Sequence, residues 1–95
     1  MPETWFNVRW PDATVSRCYS PSSTVVDFFE AGTPYPLAEF SRRSRDALTQ
    51  ASERVRAKYG YACSASAEQL AAIERRVATF ASDQDAVVVV EGFEK

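Results

Sequence analysis

Residues 37–59 constrain this chain more than any other stretch, because small or apolar side chains recur there at spacings of three and four. Leu37, Phe40, Ser44, Ala47, Leu48, Ala51, Val55 and Tyr59 fall in one stripe, the period of an amphipathic helix. The opposite face carries Arg42, Arg43, Arg45, Asp46, Glu53, Arg54, Arg56 and Lys58. Gly60 supplies a stop, and the basic residues before it suit the negative end of the helix dipole. The stripe therefore predicts a helix over 37–59, of about six turns.

The two ends of the chain carry strand patterns. From Thr4 to Trp10, Phe6, Val8 and Trp10 fall on one face, with Trp5, Asn7 and Arg9 on the other. Pro11-Asp12-Ala13 reads as a turn, and Thr14 to Tyr19 returns to β chemistry, so the first twenty residues predict a hairpin. Ala86 to Val90 is apolar without alternation, which predicts a strand covered on both faces. Its acidic neighbours Asp83, Asp85, Glu91 and Glu94 would hinder self-association. Between the ends, Ser20-Pro21-Ser22-Ser23 is a break, and Thr24 to Ala31 reads as a short helical turn closed by Gly32, with a strand the alternative that its Val and Phe content leaves open. Thr33-Pro34-Tyr35-Pro36 reads as a rigid connector. Ser66 and Gln69 match a capping box and predict a second helix from Ala67 to about Phe80, with Leu70, Ile73, Val77 and Phe80 inward.

These elements predict a single α+β domain over residues 1–95, in the order β-β-(α)-α-α-β. The expected core is a three-stranded sheet, the hairpin plus the C-terminal strand, with one long and one shorter helix on one face. Trp5 and two of the four valines would then point to the uncovered side, so a homodimer or higher oligomer through the outer sheet face is expected.

Composition excludes several chemistries. The 95 residues contain no histidine, which removes the commonest general base and nearly all zinc ligand sets. Cys18 and Cys63 are too far apart in sequence for a CxxC pair. The three glycines never cluster, so no phosphate-cradling loop can form. Neither a catalytic residue nor a cofactor or metal site is read from the sequence. The start, Met1-Pro2-Glu3-Thr4, lacks the pattern of a secretory signal, and Ala86–Val90 is far shorter than a bilayer span. A cytoplasmic protein without membrane association is expected, its cysteines reduced.

Some residues can serve either as scaffold or as a site. Residues 36–58 carry a net charge of +3 against a whole-chain net of −2. Arg42, Arg43, Arg54 and Arg56 are either a docking face for an acidic partner or a solvated face with pairs such as Arg42–Asp46. So small an excess between acidic flanks makes nucleic acid the weakest partner class. Cys18 and Cys63 are either thiols, meeting in space as a redox pair or with one a nucleophile near Arg17, or small buried hydrophobes. Carboxylate pairs such as Asp83/Asp85 and Glu91/Glu94 read as solvated charge. Tyr19, Tyr35, Tyr59 and Tyr61 bracket the connectors, where tyrosine serves packing and binding alike.

Several strings together resemble a known group: V-R-W-P-D at 8–12, R-C-Y-S-P-S at 17–22, E-A-G and Y-P-L-A-E-F within 30–40, and A-S-E-R-V-R-A-K-Y-G-Y-A-C-S at 51–64. They are similar to the small bacterial nitrogen-starvation-response family, encoded in gene clusters with a nitrilase. Those clusters also hold a radical S-adenosylmethionine protein, an acetyltransferase and a flavoprotein. The resemblance runs from the first strand to the second helix and implies a role in acquiring scarce nitrogen, from nitriles or cyanide. It brings no catalytic residue with it. Two strings place polar or reactive groups where an element meets a loop, namely Arg17-Cys18-Tyr19-Ser20 and Tyr59-Gly60-Tyr61-Ala62-Cys63. The expectation is a non-enzymatic accessory or binding protein, with the nitrilase or the radical enzyme as partner. The alternative is a small enzyme or small-molecule-binding protein whose site lies at an oligomer interface and uses a thiol and nearby tyrosines.

Overall fold

The alternation in the first strand sets the orientation of the whole sheet. In a computed structural model describing residues 3–61, 64–83 and 85–94, β1 (Thr4–Arg9) buries Thr4, Phe6 and Val8 on one face. The β2 strand (Val15–Ser20) pairs with it antiparallel, placing Cys18 opposite Phe6 and Tyr19 opposite Trp5. Their connection is a tight turn in which Trp10 N–H donates to Thr14 O at 2.8 Å and Ala13 N–H to Trp10 O at 2.9 Å. Asp12 Oδ1 holds that turn by accepting from Thr14 N–H at 3.1 Å and Thr14 Oγ1 at 2.6 Å. A 3-10 helix (Ser23–Asp27) follows, its first turn capped by the Ser22 hydroxyl.

The sheet has four strands among the described residues, in the order β2-β1-β4-β3, all neighbours antiparallel. The expected three-stranded sheet is thus corrected: Pro34–Pro36 forms β3, pairing Tyr35 with Val88 of β4 (Val87–Glu94). Prolines are depleted in strands because they lack a ladder donor, but at an edge the missing N–H costs nothing and even blunts further pairing. Gly32, at φ 84°, reaches a left-handed conformation open to few other residues and donates to Val90 O at 2.9 Å. That bond leads the chain into β3. With β3 in place, β4 is an interior strand of the sheet, but the expected cover on both faces is corrected: Val88 and Val90 are buried under the helices, whereas Val87, on the other face, is 44% exposed.

The α1 helix (Leu37–Tyr59) buries Phe40, Ser44, Ala47, Leu48 and Ala51 and ends at Gly60, whose φ of 81° gives the left-handed cap. Beyond Ala51 its stripe runs out: Val55 is only half-buried and Tyr59 is 51% exposed. The α2 helix (Ser64–Thr79) packs back along α1 and buries Ile73. It begins earlier than a capping box at Ser66 would allow, because Ser66 and Gln69 serve tertiary partners. Buried Ser66 Oγ donates to Leu48 O at 3.1 Å, tying the two helices together. Gln69 Oε1 accepts the Tyr19 N–H at 2.9 Å, satisfying a donor of the edge strand β2.

An aromatic chain fills the core. Phe40 meets Trp10 and Phe29, each at 5.5 Å between ring centroids, and Phe29 continues to Tyr35 at 5.6 Å and Phe6 at 6.1 Å. At the end of α2, Arg76 fastens the β1–β2 turn. Its guanidinium lies 5.6 Å from both the Trp10 and Phe80 rings and bonds to Asp12 Oδ2 at 3.2 Å and to the Thr14 hydroxyl. Replacing Arg76 with alanine should lower unfolding free energy by about 1–2 kcal/mol through the lost ring contacts and stem packing, measurable by urea titration. Hydrogen bonds from the Thr14 hydroxyl and N–H, assisted by the Arg76 charge, hold the Asp12 carboxyl below its ordinary 3.8. A lowered acid stabilises the fold above its unfolded value and stops doing so as pH falls through the folded one. Asp12→Asn should therefore remove part of the stability loss seen below pH 3.8.

Candidate functional site

The pleat divides the first candidate string. Successive residues of β2 point to opposite faces, so Arg17 and Tyr19 stand on the outer face while Cys18 and Ser20 lie in the interior. Cys18 is 1% exposed, and burial pushes its thiol up from 9.0 to about 12. Ser20 Oγ donates to Ser22 O at 2.8 Å and shapes the turn after β2. Cys63 lies outside the described residues.

On the outer face, Trp5 and Tyr19 are cross-strand neighbours with ring centroids 5.1 Å apart and planes at 64°. The Arg17 guanidinium sits 4.2 Å from the Trp5 ring centroid and pairs with Glu94 at 3.2 Å, and Asn7 donates to the same Glu94 oxygen at 3.1 Å. A bulge in β4 opposite Asn7 and Val8 places Glu91 within 2.6 Å of Arg9. The outer face is consequently less apolar than Trp5 and the valines alone suggest. Charged pairs cross it, and Val15 and Val87 remain exposed.

Beside Trp5 and Tyr19, where α2 passes the β2 edge, an open cleft of about 560 Å³ is lined by both rings, Glu3, Glu68, Gln69 and two alanines of α2. Trp5, Glu68 and Gln69 were not singled out as site residues from sequence. The signal was available in the alternation of β1 and β2, which puts Trp5 and Tyr19 on one face, but the α2 contribution depends on packing.

The helix arginines divide into two groups. Arg42 pairs with Glu39 at 3.5 Å and Asp46 at 3.9 Å. Arg43 pairs with Glu39 at 3.1 Å, donates to Phe28 O at 2.9 Å, and lies 5.0 Å from the Tyr35 ring. Arg54 and Arg56, on the last turns of α1, have no ion pair among the described residues and are exposed. Close by, Tyr59 and Tyr61 are 51% and 65% exposed, with ring centroids 6.1 Å apart, and Lys58 lies over the Tyr59 ring. Four of the predicted residues, Arg54, Arg56, Tyr59 and Tyr61, thus lie exposed at the end of α1, the tip of the α1–α2 hairpin, where the helix has run past its buried stripe.

Among the described residues no helix is long and apolar enough to cross a membrane, and no group of three or more metal-ligating side chains is assembled. Comparison with curated proteins and with solved structures brings no match. The family described as nitrogen starvation-induced protein NitG matches residues 5–93, from the first strand to the last, and the chain belongs to that family.

Proposed function

We propose that this protein is a non-enzymatic accessory factor of the nitrogen-starvation response, docking on a partner enzyme through the tip of its helical hairpin. The observation that supports this reading is the division of the arginines. Arg42, Arg43 and Arg45 are engaged within the molecule, whereas Arg54 and Arg56 stand beyond the core beside Lys58, Tyr59 and Tyr61. Arginine and tyrosine dominate the energetics of protein interfaces, because one supplies charge with a planar fork and the other a rigid amphipathic ring. Such a surface suits an acidic patch on the partner. The nitrilase and the radical S-adenosylmethionine enzyme implied by the family resemblance are the partners to test first.

The test is calorimetric titration of the full chain into each purified enzyme. Reversing both charges with Arg54→Glu and Arg56→Glu should weaken binding about tenfold or more, with a shallower salt dependence. Arg42→Glu, on the engaged part of the helix, should change affinity by about twofold at most. Equal affinity of the wild type and the double variant would overturn docking through the tip.

A further inference from the structure

We propose that the cleft between the outer rings of the β1–β2 hairpin and the beginning of α2 binds a small organic cation, an alkylammonium or guanidinium compound. Its volume of about 560 Å³ lies in the range of small-molecule sites, roughly 300–1,000 Å³. Trp5 and Tyr19, inclined at 64°, form two walls of an open box rather than a flat stack. The negative faces of aromatic rings attract a cation, and tryptophan does so best. The charged side chains lining the cleft, among the described residues, are both acidic: Glu3 from the start of the chain and Glu68 from α2. An anion would meet two carboxylates there, and a neutral apolar ligand would strip water from them without return.

The Arg17 guanidinium, 4.2 Å from the Trp5 ring centroid, already takes one face of that ring, so a cation in the cleft has the other face of Trp5 and the ring of Tyr19 to meet. Arg17 is outside the cleft lining and tied to Glu94, so its charge is balanced on the sheet rather than in the cleft. The α2 wall is held in place by Gln69, whose side chain accepts the Tyr19 N–H at 2.9 Å. A preassembled wall of this kind lowers the ordering cost of binding. The site is separate in chemistry from the hairpin tip, which is basic and would favour an acidic partner.

The experiment is a two-dimensional NMR titration of the full chain, following the Trp5 indole N–H and the Gln69 side-chain amide. The probes are choline, agmatine and the neutral choline isostere 3,3-dimethylbutan-1-ol. Both cations should give saturable shifts at Trp5 and Gln69 and leave the buried Trp10 indole in place. The neutral isostere should bind at least about tenfold more weakly. Glu68→Gln, on an exposed position of α2, should weaken both cations about three- to fivefold with the spectrum otherwise unchanged. Trp5→Leu should abolish the saturable shift at Gln69. Non-saturating shifts for both cations, equal binding of the isostere, or full affinity in Glu68→Gln would overturn the proposal. A lysine-bearing peptide that bound more tightly than either small cation would overturn its assignment to a small molecule.

Discussion

Replacing Phe40 with alanine is expected to lower unfolding free energy by about 3–5 kcal/mol. Phe40 is 0% exposed and stands where α1 meets the sheet, touching Trp10 of the hairpin and Phe29 of the segment before β3. Removing the ring forfeits the transfer of its carbons from water and leaves a cavity between elements that cannot all move together. Both losses add, because the rings around the site are themselves fixed by further contacts to Tyr35, Phe6 and Phe80. A domain of this size has about 5–15 kcal/mol in total, so the loss is between about a fifth and all of its stability. Urea titration by far-ultraviolet circular dichroism reads the change, and Phe40→Leu should recover more than half of it. Val15→Ala, 51% exposed on the outer face, should stay within about 0.5 kcal/mol of the wild type. A Phe40→Ala loss below about 1 kcal/mol would mean that α1 is not seated on this sheet.

Phe40 was legible in the sequence because helix periodicity is a local property that tertiary packing reinforces. The same holds for β1, where every second side chain enters the core. What escaped depended on partners distant in the chain. Pro34-Tyr35-Pro36 becomes a strand only because β4 offers it an edge, and no local preference marks prolines as strand residues. Ser66 and Gln69 have the spacing of a cap, yet their side chains are drawn to Leu48 O and to Tyr19 N–H. Relative length explains the hairpin tip. A helix of 23 residues is about 34 Å long, whereas strands of six to eight residues reach about 20–27 Å, so Val55 and Tyr59 continue the stripe past the surface it covers. The candidate string Arg17-Cys18-Tyr19-Ser20 shows the opposite failing. Its members are adjacent in sequence and split between faces, a division that the period of a strand already implies.

That split carries the second large expectation, a chemical one. Native Cys18 should react with a disulfide reagent such as Ellman's at least about a thousandfold more slowly than the same thiol in the unfolded chain at pH 8. Thiolate is the nucleophile, and a rise from 9.0 to about 12 lowers its fraction by roughly three powers of ten before access is considered. At 1% exposure, behind Phe6 on the neighbouring strand, access lowers the rate further. The direction of linkage follows from the same burial. A thiol whose folded value is raised supports the fold fully below 9.0 and ceases to do so as pH climbs towards about 12. In a Cys63→Ser background the reaction should proceed at the rate of global or local opening, rise with urea, and vanish from the fast phase in native buffer. Cys18→Ala should bind the hairpin-tip partner as well as the wild type does. A fast stoichiometric reaction in native buffer would instead make Cys18 an accessible nucleophile and return weight to thiol chemistry at this end of the sheet.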